Sequence, residues 1–80
     1  MRQSIRTYLA EHRASGDGDF SDQESLVESG VIDSMVMVQL IAHLEDQFQI
    51  SVDNEDLDPD NFDSVDAIVS YVERKKGLNA

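Results

Sequence analysis

The sequence predicts an all-α protein, a small four-helix bundle of three main helices plus one short helix, with a long first loop. Three observations lead there. Apolar residues recur at helical spacing in three separate stretches. No stretch alternates apolar and polar residues as a half-buried strand would, and no internal repeat divides the chain. The 80 residues suit one modest core, so residues 1–80 are expected to form a single domain.

The first helix covers residues 3–13, with Ile5, Tyr8, Leu9 and His12 at i, i+3, i+4 and i+7 and with Arg2, Arg6 and Arg13 on its polar side. From Arg13 to Ser25 the chain reads as loop, with turn chemistry in Ser15-Gly16-Asp17-Gly18-Asp19. A connection this long is usually pinned or functional. Phe20 is its expected anchor to the core, with Leu26, Val27, Val31 and Ile32 as further pins. Gly30 is well placed for a backbone conformation that other residues resist.

The central helix starts at Asp33 or Ser34, either of which can cap it, and runs to about Phe48. It carries two stripes. Met37, Leu40, Ile41, Leu44 and Phe48 form one continuous face, the expected core side. Met35, Val38 and Ala42, ending at Glu45 and Asp46, form a second, more than a core needs. Beyond Ile50 and Val52 an acidic loop follows. Asp58-Pro59 then marks a short helical turn over residues 59–62. Asp63 or Ser64 caps the last helix, where Val65, Ile68, Val69 and Val72 repeat the helical spacing. Arg74, Lys75 and Lys76 suit its negative end, and Gly77 stops it.

Charge is the most lopsided property of the chain. The net charge is -11, and all 6 basic residues lie near the two ends, outside Ala14–Glu73, where 16 of the 17 acids sit. Such a field repels nucleic acid and anionic lipid and steers basic partners inward. There is no cysteine, no apolar run of membrane-span length and no signal-peptide block after Met1. A cytoplasmic monomer without membrane insertion is the expectation.

Two chemistries compete for the polar residues. As an enzyme nucleophile Ser34 would need a base, yet His12 lies on another helix and His43 lies nine residues further along the same one, out of reach. On the local sequence alone, Ser34 reads as a helix cap ahead of a functional group. The rival is calcium. Asp17, Asp19, Ser21, Gln23, Ser25 and Glu28 occupy ligand positions of a twelve-residue loop. Asp22 stands there in place of the glycine that makes the turn, Glu24 replaces an apolar residue, and Gly30 interrupts the helix that should follow. No metal site is therefore expected, although an acidic calcium-binding or adaptor protein stays open as the alternative function.

Asp33-Ser34-Met35, preceded by Leu26-Val27-Glu28-Ser29-Gly30 and followed by Leu44-Glu45-Asp46-Gln47-Phe48-Gln49-Ile50, resembles the signature of the acyl and peptidyl carrier proteins. Leu57-Asp58-Pro59-Asp60-Asn61-Phe62-Asp63-Ser64-Val65 is similar to the stretch that leads those proteins into their last helix. The likeness covers nearly the whole chain, least in residues 1–20. Met35 replaces the family's leucine, a volume-conserving exchange. The resemblance implies an acyl-carrier-protein-like fold and a 4'-phosphopantetheine arm covalently attached to Ser34, with Asp33 as the adjacent acid. A phosphopantetheinyl transferase would attach the arm, and an adenylation- or ligase-type enzyme would load an acyl or aminoacyl group onto it as a thioester. Downstream transferases would then take that group, and the chain itself would not be catalytic.

The same resemblance makes Met35, Val38, Ala42, Glu45 and Asp46 the expected partner-binding face. Val36 and Gln39 stand where fatty-acid carriers commonly have acids, which points toward amino acids or specialised acyl groups as cargo. Domain-like sequence directly after Met1 favours a free-standing carrier over one piece of a large synthase.

Overall fold

Four helices, α1 (Arg2–His12), α2 (Ser34–Phe48), α3 (Pro59–Phe62) and α4 (Val65–Lys76), make up the computed structural model, which describes residues 1–16 and 18–77. Among the described residues there is no strand. α2 packs against both α1 and α4, α1 also meets α4, and the four-residue α3 lies against α4. The all-α bundle with one short helix and a long first connection is what the periodicity predicts.

The ends of the helices follow local chemistry and settle both capping alternatives. Asp33 caps α2, its carboxylate accepting from Val36 N at 2.9 Å. Ser64 caps α4, its Oγ accepting from Ala67 N at 3.0 Å. Asp58 caps α3 by accepting from Asp60 N, with proline in the first turn where no amide is needed. Gly77 closes α4 at φ +76° and donates to Arg74 O.

Ile5 and Leu9 of α1, Leu40 and Leu44 of α2, Phe62 of α3 and Val65, Ile68 and Val72 of α4 are fully buried. The long connection contributes as much as a helix: Phe20, Leu26, Val31 and Ile32 are buried too. Gly30 sits beside them at φ +85°, and a Cβ there would come within 2.5 Å of Ser15 Oγ. The pinning differs from expectation at one residue. Val27 is 48% exposed, because Leu26 turns inward and the chain reverses immediately after it.

The buried side of α2 also differs from the expected one. It centres on Val36, Leu40 and Leu44, with Met37, Ile41 and Phe48 only partly buried against it. Flanked by α1 on one side and α4 on the other, α2 hides a wider arc than a single stripe. His43 belongs to that arc. Its ring stacks on Tyr8 of α1 at a centroid distance of 4.1 Å, and Tyr8 in turn meets the exposed His12.

The basic residues brace the fold from its two ends. Arg2 pairs with Asp22 and Asp66, and Arg6 with Asp19 and Asp22, tying the long connection to α1 and α4. The last turn of α4 does more than complement its own dipole: Lys75 reaches Asp53 and Lys76 donates to Phe48 O at the end of α2. A 3₁₀ turn, Asn54–Asp56, was not legible in the sequence. The buried Tyr71 explains its position by donating from Oη to Asp56 at 2.8 Å, and burial with that carboxylate pushes the phenol's pKa up.

Candidate functional site

Ser34 is the first residue of α2, and it is exposed. Because the Asp33 carboxylate supplies the cap, the serine hydroxyl is spare. The amides of the first helical turn and the helix dipole make this end favourable for negative charge. The chain reaches it along a tightly tied path: Val31 N and Ile32 N both donate to Leu26 O, at 2.9 and 3.1 Å, and both side chains are buried. The serine therefore emerges from anchored backbone.

An open hollow of about 440 Å³ adjoins it, walled by Val27, Ile32, Asp33, Ser34 and Met37. The exposed Val27 thus forms one wall of the hollow beside the serine.

Of the residues expected on the partner face, Met35 and Val38 are 66% and 67% exposed, and Ala42 and Asp46 are exposed as well. Two residues need correction. Val36, grouped with Gln39 as standing where acids are common, is 4% exposed and belongs to the core. Glu45 is half-buried at the edge of the stripe, and its Oε2 accepts from Val52 N at 2.9 Å. That carboxylate holds the chain after α2 and is already engaged.

Among the described residues no histidine stands beside Ser34, and the neighbouring Asp33 carboxylate is engaged in the cap. His43 is nine residues on, about two and a half turns, which puts it on the opposite side of α2 against α1. Its Nε2 is enclosed without a hydrogen-bond partner, and burial lowers the ring's pKa below its usual value. Three of the six residues at the calcium-loop positions, Asp19, Ser21 and Ser25, are engaged elsewhere. Asp19 pairs with Arg6, Ser25 Oγ donates to Asp63, and Ser21 and Glu24 cap each other through Ser21 N to Glu24 Oε1 and Glu24 N to Ser21 Oγ. Asp17, the first position of that loop, lies outside the described residues.

A small helical bundle that presents one serine at a helix entrance, beside an apolar strip and away from any base, has the form of a carrier domain acted on by other enzymes. The chain matches the family described as a phosphopantetheine attachment site over residues 3–72, and it belongs to that family. It is 32% identical over 74 residues to a D-alanyl carrier protein of Lactobacillus delbrueckii subsp. bulgaricus, covering 92% of this chain and 91% of that one. A D-alanyl carrier protein of Lactococcus lactis subsp. lactis is 33% identical over 67 residues, 81% of this chain and 85% of its own. The acyl carrier protein of Thermotoga maritima is 27% identical over 73 residues, 91% and 88%.

The protein is accordingly a non-catalytic carrier, modified by a phosphopantetheinyl transferase, that holds acyl or aminoacyl groups as thioesters on a covalent 4'-phosphopantetheine arm. The surroundings of Ser34 fit such a group: a spare exposed hydroxyl, a helix N-terminus to face a phosphodiester, and an apolar hollow at its side. No helix of the described residues is long and apolar enough to cross a membrane.

Proposed function

We propose that Ser34 is the attachment residue and that the cargo is an aminoacyl group. The observation that carries the first part is the division of labour at the start of α2: Asp33 caps the helix and Ser34 is exposed and unneeded there. The transferase then requires only that the serine oxygen reach the phosphate of coenzyme A. The oxygen displaces the nucleotide part, the hydroxyl proton leaves, and the pantetheine phosphate stays on Ser34. The thiol at the arm's end supplies the thioester chemistry. The chain's own residues anchor the arm, repel its phosphate little at the helix N-terminus, and present Met35, Val38, Ala42 and Asp46 to partners.

The aminoacyl cargo is favoured by the names of the relatives, three of which from different Lactobacillus and Lactococcus sources are D-alanyl carriers. It agrees with the exposed, uncharged Gln39 in the first turns of α2. The partners on this reading are the phosphopantetheinyl transferase, an adenylation-type loading enzyme and a downstream transferase, meeting a monomeric carrier in the cytoplasm.

The test is intact-protein mass after incubation with coenzyme A, Mg²⁺ and a broad-specificity transferase, with Ser34→Ala alongside. One added phosphopantetheine in the wild type and none in the variant is the expected result. An equal gain in both would move the attachment elsewhere. Offering the free thiol of the attached arm D-alanine or medium-chain fatty acids, each with its activating enzyme, then separates aminoacyl from acyl cargo.

A further inference from the structure

Asp63 ends α3 as its C-cap residue, and its side chain is left free by the N-cap of α4, which is Ser64. Its carboxylate and carbonyl instead turn to the connection before α2. Oδ1 accepts from Ser25 Oγ at 2.8 Å and from Val27 N at 3.2 Å, and the backbone oxygen accepts from Leu26 N at 2.6 Å. Three consecutive residues, Ser25, Leu26 and Val27, are thereby held by one. The next link is Leu26 O, which accepts from Val31 N and Ile32 N. Ile32 is followed by Asp33 and Ser34. A set of hydrogen bonds thus runs from Asp63 to Ile32, two residues before the serine, from a residue 29 positions downstream of it.

We propose that Asp63 is a positioning residue for modification at Ser34: it fixes the turn over 25–31 and so the direction in which the serine leaves the bundle. This rests on the assignment of Ser34 as the attachment site. An exposed serine at the end of the long connection over residues 13–33 would otherwise sample many orientations, and a displacement of about 1 Å in a reacting group can cost on the order of a hundredfold in rate. Asp63 also couples the site to the α3–α4 corner, on a different part of the surface from the Met35–Val38 strip that partners are expected to grip.

The carrier is the substrate of the transferase, and this separates positioning from mere structure. A variant that is partly unfolded offers less usable substrate, so its apparent KM rises while kcat at saturation stays the same. A variant that is folded but presents Ser34 badly keeps KM, because the strip on α2 is intact, and loses kcat. The experiment measures both constants for phosphopantetheine transfer to the wild type, Asp63→Ala, Asp63→Asn and Ser25→Ala. Asp63→Asn keeps an oxygen that can accept the same two hydrogen bonds. The expected result is a kcat lowered about tenfold in Asp63→Ala, restored to within about twofold in Asp63→Asn, and lowered less in Ser25→Ala, with KM little changed.

An unchanged kcat in Asp63→Ala, whatever its KM, would overturn the proposal. If Asp63→Ala fails to fold, Ser25→Ala decides: it removes one bond of the set, and a wild-type kcat in that variant would also overturn it. An unmodified wild type would overturn the assignment of Ser34, and this role with it.

Discussion

Replacing Asp33 and Ser34 one at a time tests which of them starts α2, on which the availability of the serine depends. Asp33→Ala removes the side-chain acceptor for Val36 N, a bond of 2.9 Å. Loss of an N-cap of this kind costs about 1 kcal/mol, within a range of about 0.5–2. In a domain of this size 1 kcal/mol lowers the midpoint of thermal unfolding by about 4–8 °C. The substitution also removes one negative charge from a chain of net -11, which relieves some self-repulsion and works in the opposite direction. Asp33→Asn makes the same change in charge but keeps a capping oxygen, so the difference between the alanine and asparagine variants isolates the cap. Circular dichroism at 222 nm against temperature measures all of these. Ser34→Ala, by contrast, should move the midpoint by no more than about 2 °C, as expected of an exposed residue outside the cap. If Ser34→Ala loses several degrees and Asp33→Ala none, the serine is the cap, and the reasoning that makes its hydroxyl spare is refuted.

Three further outcomes follow from the packing and the titratable groups. Burial holds the folded-state pKa of His43 below the ordinary 6.5, with Asp46 opposing the shift and His12 adding to it. As pH falls from 6.5 the unfolded chain therefore takes up a proton first, stability declines until the folded pKa is passed, and His43→Phe should flatten that decline. Equal slopes in the two proteins between pH 7 and pH 5 would sink this. Gly30→Ala meets both an unfavourable positive φ and Ser15 Oγ, and should lose about 1–2 kcal/mol in urea titrations, whereas Gly18→Ala, with nothing within 4 Å, should lose less. Leu40→Ala empties a fully buried position of α2 and should cost about 2–5 kcal/mol, a large share of what an 80-residue domain has. A loss under about 1 kcal/mol would mean that Leu40 is not central to the core.

Periodicity and caps made the helices legible. The limits of α2 and of the short α3, the stop of α4, and the anchoring by Phe20 all depend on local patterns that tertiary structure did not override. The width of a buried face is not local. Val36 lies outside the main apolar stripe of α2, yet it is buried in the common core with residues of the helices and of the long connection. Val27 looked like a pin because it is valine; whether it or Leu26 turns inward depends on where the backbone reverses. Glu45, Tyr71 and Asp63 have the same lesson for polar groups. Each finds its partner, Val52 N, Asp56 and Ser25 respectively, outside its own helix, where helical periodicity no longer applies. The serine could be singled out from the sequence, but the arrangement that frees its hydroxyl could not, since Asp33 and Ser34 are equally good caps on paper.

The central claim is that one hydroxyl, that of Ser34, holds the arm. Its most direct test is to locate the phosphodiester by peptide-level mass spectrometry on protein isolated with the arm attached, with fragmentation that distinguishes Ser34 from Ser25 and Ser29. The added phosphopantetheine should appear on Ser34 alone, at the first residue of α2. Its appearance on Ser25 or Ser29, or on no serine of a protein that is otherwise folded, would contradict the assignment.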